Sequence, residues 1–446
     1  MSQATQAAPA NGDYPSALMG WATVAILFIL YVLSLTDRYI IALLVQPMKA
    51  DLGLSDFQLS LLQGPAFALL YSACAIPIGI LLDRFGRKLV LYFSVTVWSI
   101  AAAMCGFAQG FAGIALARAV LGAGEAGFST GAYSVIGDSF RPDRVSFAMS
   151  IFVMGGVMGA GFVFLLGGPL VAALHENGAV DLGAFGTLEP WRQAFILTGI
   201  PGVFLAFLIF FFREKKRPPG QVVTLGYGEA FSYVKKNWKF YFAVFVGISV
   251  VFAVTIGLQL WTPAFLIRIH GWEPARIGIV MGIAQILAAT TLPLHGWIVD
   301  KLYGRGMKTA HFTWVMGSTA LGIIVGSLAY LVPDPMIAVA LFGLFMACGM
   351  AASSIGPALV QIATPAHLRG RVSAMFVVCT GLIAMGLGPT TVGFITNYVL
   401  RDEMKVGWSL IISLCVVLPI AIAVLSLGRT KLQGMIEAAS PAPAAG

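Results

Sequence analysis

The sequence predicts an all-α membrane protein whose 12 transmembrane helices form two six-helix bundles. Three observations carry that reading. The 446 residues are 59% hydrophobic and only 10% charged, with a mean hydropathy of +0.89. A soluble domain carries roughly 25% charged residues. The apolar runs are each of bilayer length, and the loop motifs of the first half recur in the second. This composition excludes a soluble enzyme, a nucleic-acid-binding module and a disordered scaffold. The net charge of +8 sits in short clusters between apolar runs, which is no footprint for nucleic acid.

A bilayer core about 30 Å thick requires about 20 apolar residues per helix. Taken in order, the runs lie at 18–47, 57–83, 88–108, 111–138, 145–173 and 191–212, then 240–268, 275–301, 310–332, 335–363, 371–400 and 406–428. The chain therefore divides into an N-terminal tail (1–17), a first bundle (18–212), a basic linker (213–239), a second bundle (240–428) and a C-terminal tail (429–446). The tail is Ala-, Asn- and Pro-rich with no basic start, so no removable signal peptide is expected. Within the linker, Ser232 to Trp238 (SYVKKNW) reads as a short interfacial helix. Pro77 and Pro263 are expected kinks. The five cysteines all lie in apolar segments without ligand spacing, and no metal or cofactor is expected.

Most of the 27 Lys and Arg fall in alternate loops, which places both termini in the cytoplasm of an inner-membrane protein. The halves repeat. Gly79-Ile80-Leu81-Leu82-Asp83-Arg84-Phe85-Gly86-Arg87-Lys88 between spans two and three has its counterpart in Gly296-Trp297-Ile298-Val299-Asp300-Lys301-Leu302-Tyr303-Gly304-Arg305 between spans eight and nine. Arg144-Val145-Ser146 likewise matches Arg371-Val372-Ser373. Such parallel repeats place a substrate site between the halves near the membrane midplane.

The GxxxDRxGRK run resembles the loop signature of the major facilitator superfamily. Leu35-Thr36-Asp37-Arg38-Tyr39 in span one, and Arg118 to Thr130 in span four (RAVLGAGEAGFST), are similar to the Spinster lipid transporters. The resemblance implies the superfamily fold, alternating access and a lysolipid or sphingoid phosphate as substrate. An Asp-Arg pair in span one also occurs in organic-anion symporters of the superfamily.

Ionisable residues inside a span are costly and point to function. Four lie deep here: Asp37, Arg38, Arg118 and Glu125. At 1.5 Å per residue, Asp37 lies about 7 Å and Arg118 about 10 Å outward of the centres of their spans, depths that would let them pair. Arg118 is expected to hold the anionic group of the substrate, with Arg38, Glu125 and Tyr133 also lining the site. Glu125 and Asp37 are the expected proton carriers. Asp37 and Arg38 lie about 100° apart around the helix, so they cannot face a cavity equally.

Gly79, Asp83, Arg84, Gly86 and Arg87, with Asp300 and Arg305 in the second half, read as a gate latch, Asp83 pairing with a basic residue of the other bundle. By the repeat, Arg118 corresponds to Phe345 and Glu125 to Ala352. The second half offers only Thr255, Gln259, Gln285, Ser353 and Ser354. A cavity charged on one wall and apolar on the other suits an amphiphile. His295 and His311 are expected at the interface. The sequence thus predicts a monomeric proton-coupled transporter of an anionic lipid, driven by the proton gradient without a cofactor, its partners being the substrate, protons and membrane lipids. An organic-anion or sugar-acid symporter is the alternative. A passive scramblase would need neither a buried titratable pair nor a latch, and no catalytic constellation marks an enzyme.

Overall fold

The computed structural model describes residues 15–140, 144–181, 183, 187–212, 228–365 and 368–432. It is an all-α membrane protein. Among the described residues, eleven helices are long and apolar enough to cross a bilayer. The remaining span is the helix pair Asp56–Gln63 and Pro65–Phe85, interrupted at Gly64. A two-stranded hairpin, Val180–Asp181 against Thr187–Leu188, lies in the loop between spans five and six; the sequence reading did not anticipate it.

The helix ends follow local chemistry. Ser55 and Gln58 form a reciprocal capping box at the start of span two. Asp334 accepts from the backbone N–H groups of Met336 and Ile337 at the start of span ten. Span two meets span three across a single residue, Gly86, whose φ of 83° lies where side chains are strained. The linker-side helix runs over Gly228–Lys236, and span seven follows at Trp238. Tyr233 anchors that helix by donating to the carbonyl of Ala363, 3.1 Å away. Burial raises the Tyr233 phenol pKa above its ordinary value, so it remains a donor.

The spans are broken differently in the two halves. In the first, span one turns at Ile40, span two at Gly64 and span four at Ala126-Gly127. In the second, span eight is interrupted at Thr290-Thr291, and π-helical turns occupy Ala243–Gly247, Gly381–Met385, Ile395–Leu400 and Ser413–Val417. The breaks of the first half leave main-chain carbonyls to be satisfied inside the membrane, and that requirement builds the site described below.

The halves are pressed together on the side away from the linker. One apolar core runs from Ile40 to Met48 of span one through Phe164 of span five into the second bundle, through Trp261, Met281 and Leu414. A separate core, including Phe67, Trp98, Phe128 and Phe152, fills the linker-side part of the first bundle. Spans five and eight approach so closely that a Cβ on Gly278 would lie 2.3 Å from the carbonyl oxygen of Phe164.

Gly278→Ala should therefore lower thermal stability in detergent by about 1–3 kcal/mol, the usual cost of overpacking. Gly317→Ala, where an added methyl meets nothing, should be neutral or slightly stabilising because Ala favours helix. Equal melting temperatures for the two variants would contradict the seam.

Candidate functional site

Four charged side chains lie together where spans one, two and four are broken. Arg118 is wholly buried. Its Nε donates to the carbonyl of Leu62 at 3.1 Å, Nη1 to that of Asp37 at 2.9 Å and Nη2 to that of Arg38 at 3.2 Å. These are among the last carbonyls of helices Ala17–Tyr39 and Asp56–Gln63, groups that a helix end leaves without an intrahelical partner. In hydrocarbon each must be satisfied within the protein, and a planar fork of five donors suits three acceptors from two helices. In this conformation these donors of Arg118 face main chain. Arg118 does not hydrogen-bond the Asp37 carboxylate.

Arg38 Nη2 pairs with Glu125 Oε2, which also accepts from Ser34 Oγ at 2.8 Å. Its guanidinium lies 4.6 Å from the Phe67 ring centroid and 5.4 Å from that of Tyr71, and Nη1 is 3.8 Å from Met385 Sδ in the second bundle. The Arg38 side chain is 14% exposed against 1% for Glu125. Of the four charged groups it is the one that reaches the boundary between the bundles.

Glu125 ends the helix Phe111–Glu125, where the helix dipole is negative and disfavours a carboxylate; Arg38 supplies the compensating charge. Glycines of the RAVLGAGEAGFST stretch bring the neighbouring spans close. A Cβ on Gly122 would lie 2.3 Å from the Phe67 carbonyl oxygen, and one on Gly124 2.9 Å from the Trp98 nitrogen. Tyr133 lies on the helix Phe128–Ser139 that follows the break at Ala126-Gly127. Tyr133 is 39% exposed and, like Tyr31, packs on Phe152, with centroids 5.4 Å and 4.9 Å away.

Asp37 is fully buried, and neither carboxylate oxygen has a hydrogen-bond partner. Glu125 Oε1 is also without one. The second bundle carries no charge at the positions that correspond to Arg118 and Glu125. Phe345 and Ala352 are buried, as are Thr255, Gln259 and Gln285, while Ser353 and Ser354 are half-buried. Two apolar grooves of about 440 Å³ each, meeting at Val97, lie along spans two to four on the lipid side, apart from the charged cluster.

The linker-side motif is arranged within the first bundle. Arg87 is buried, pairs with Asp138 at the end of span four and donates to the Ser134 carbonyl at 3.3 Å. Arg84 is exposed and lies over Phe85. Gly79 has open space beside it. The Asp83 side chain lies outside the described residues. Asp300 and Arg305 are exposed, and neither forms an ion pair among the described residues. His295, expected at the interface, is instead buried. It accepts from Trp314 at Nδ1, 3.0 Å away, and its Nε2 lies 2.9 Å from the Ala347 carbonyl, so it ties spans eight, nine and ten together.

A cluster missed by sequence reasoning joins the bundles on the opposite side. Arg268, near the end of span seven, grips both oxygens of Asp56 at 2.6 and 2.8 Å. Lys49 donates to Asp56 at 2.9 Å and pairs with Glu403. Asp56 and Arg268 are almost wholly buried, at 3% and 4% side-chain exposure. A polar cavity of about 400 Å³ borders the cluster, lined in part by Thr396, Asn397 and Arg401. With the glycine seam, this latch closes the side away from the linker. Its sequence signal was available: charges of opposite sign at the outer ends of spans one, two and seven.

Residues 27–389 match the family model of the Major Facilitator Superfamily. An MFS-type efflux pump of Mycolicibacterium smegmatis is 27% identical over 397 residues, covering 88% of each chain. Protein spinster homolog 1 of Xenopus tropicalis is 31% identical over 271 residues, 57% of this chain and 48% of that protein. A D-galactonate transporter of Escherichia coli is 25% identical over 87% of this chain and 91% of its own length. Among solved structures, a bacterial homolog to the human lysosomal transporter Spinster, inward-facing and unoccupied, superposes with a TM-score of 0.76 at 22% identity. It covers 96% of this chain and all of its own.

Two measurements follow from the geometry. Arg118→Lys keeps the charge but loses the fork, so unfolding in detergent should shift by several kcal/mol, at about 1.5–3 kcal/mol for each charge-assisted bond lost. Unchanged stability with weakened substrate binding would instead assign Arg118 to the substrate. Asp56→Asn should open the latched side. A Ser60→Cys reporter, buried there against Gly393, should react with an impermeant maleimide in a cysteine-free background at least about tenfold faster, since 1.4 kcal/mol is a tenfold population shift. An unchanged rate would show that the latch does not hold that side closed.

Proposed function

We propose that this chain, which belongs to the major facilitator superfamily, is a proton-coupled secondary transporter that moves an amphiphilic anionic lipid by alternating access. It is a multi-pass membrane protein and not an enzyme. The observation that carries the reading is the Arg38–Glu125 pair. It is the charged pair at the bundle boundary, held against Phe67 and Tyr71 on one side and Met385 on the other. An anionic head group entering from the linker side would compete with Glu125 for Arg38. Glu125, released from its counter-ion, would keep only Ser34 as a partner among the described residues.

Asp37 is the second proton carrier in this reading. Its side chain is fully buried within the first bundle, beside Glu125 and Arg118. Arg118 positions the two by fixing the broken ends of spans one and two. Tyr133, Tyr31 and Phe152 offer an aromatic surface for the acyl chain, and the lack of charge at the corresponding positions of the second bundle supports a lipid over a sugar. The distribution of Lys and Arg supports an inner-membrane protein with both termini cytoplasmic. A second reading, a sugar-acid or organic-anion proton symporter, is favoured by the E. coli D-galactonate transporter, which matches over most of both chains.

The test is flux of a labelled lysophospholipid in proteoliposomes with and without an imposed proton gradient. Gradient-driven flux is expected, lost in Glu125→Gln, whose equilibrium binding should persist in part, and lost in Arg38→Gln together with binding. Gradient-driven uptake of a small sugar acid without lipid flux would select the second reading. Accumulation by Glu125→Gln equal to the parent's would sink the proton role of Glu125.

A further inference from the structure

Where the linker enters the second bundle, two distant segments meet around a concavity of about 260 Å³ lined by Lys236, Asn237, Trp238, Lys239, Phe240 and Lys431. Lys236 closes the linker-side helix Gly228–Lys236, Lys239 lies in the first turn of span seven, and Lys431 follows span twelve. All three lysines are exposed, and none has an ion pair or hydrogen bond among the described residues. Among the described residues, no acidic side chain lines the concavity. The nearby acid, Glu229, lies 3.4 Å from Arg371, on the side of span eleven.

Three like charges converging without a counter-ion repel one another, so an anion there is stabilised by all of them. The surroundings identify the kind of anion. The ring of Trp238 lies 5.8 Å from Lys239 Nζ and is 55% exposed, Phe231 is 61% exposed and Phe242 is 42% exposed. Trp238 opens a membrane span, the level at which amphipathic rings meet head groups. A basic hollow bordered by outward-facing aromatics suits a phosphate that carries an acyl chain beside it. A soluble anion would use the lysines and leave the aromatics idle.

We infer that this concavity binds the phosphodiester head group of an anionic phospholipid in the leaflet on the linker side. Lys236, Lys239 and Lys431 contact the phosphate, and Trp238 sits at the glycerol level. This lipid is a fixed partner of the second bundle rather than cargo. The site lies on the outer margin of the fold and is independent of the charged cluster between the bundles. Its occupant clamps the entry of span seven to the exit of span twelve.

The experiment uses the purified full-length chain in a neutral detergent and needs no proton gradient, so its result is separable from transport. Dioleoyl phosphatidylglycerol should raise the melting temperature of the parent, while dioleoyl phosphatidylcholine should not. Each of Lys236→Gln, Lys239→Gln and Lys431→Gln should weaken the apparent affinity for phosphatidylglycerol by about fivefold, the equivalent of about 1 kcal/mol per lysine near the surface. The triple variant should lose the response. Lys235→Gln removes a neighbouring charge that does not line the concavity and should retain it. An undiminished response in the single variants would overturn the site, as would an equal loss in Lys235→Gln. Competition by inorganic phosphate at matched concentration would overturn the lipid assignment in favour of a soluble anion. Should the triple variant not fold, the single variants decide.

Discussion

A broken helix inside a membrane leaves carbonyls that no water can reach, and the interior of the first bundle is organised around that fact. Arg118 binds the carbonyls of Asp37, Arg38 and Leu62 at once, fastening the turn in span one to the turn in span two. With those two turns fixed, the Asp37 side chain is buried within the bundle and that of Arg38 reaches its boundary. One guanidinium therefore fixes which of two adjacent charges reaches the boundary. The cost of placing a cation in the core is offset by acceptors that would themselves be costly if unpaired.

The same arrangement explains the asymmetry between the halves. The first bundle breaks its spans at single turns and carries two cations and two carboxylates beside them. The second bundle uses π-helical turns, whose extra residue is absorbed within the helix. Met385, at the end of one of these turns, places its sulfur against Arg38. A half with charges in its interior thus faces a largely uncharged one across a boundary closed on one side. Motion of one half against the other, the form of alternating access common in repeat-built transporters, would change the surroundings of Arg38 before those of Asp37 or Arg118.

The architecture was legible because bilayer length and loop repeats are properties of the chain itself. The positions of Asp37, Arg38, Arg118 and Glu125 were legible for the same reason, since charges stand out in apolar runs. Their partners were not. Periodicity places Arg118 at the right depth for Asp37, yet it cannot tell a carboxylate from the carbonyl of the same residue; only the turn at Ile40 makes that carbonyl available. His295 was misplaced likewise, because its acceptor is a backbone oxygen of span ten and backbone oxygens carry no sequence signal. The Asp56–Arg268 pair joins residues 212 apart in the chain, and no local pattern ties them.

That latch has an inner and an outer member, which the surrounding electrolyte reaches unequally. Lys49 and Glu403 are 26% and 51% exposed, while Arg268 and Asp56 are almost dry. Mobile ions screen exposed charges over a Debye length of about 8 Å at physiological ionic strength and barely touch buried ones. Salt on that face therefore loosens the first pair and leaves the second intact. The closed side has a salt-sensitive clasp over a salt-resistant one.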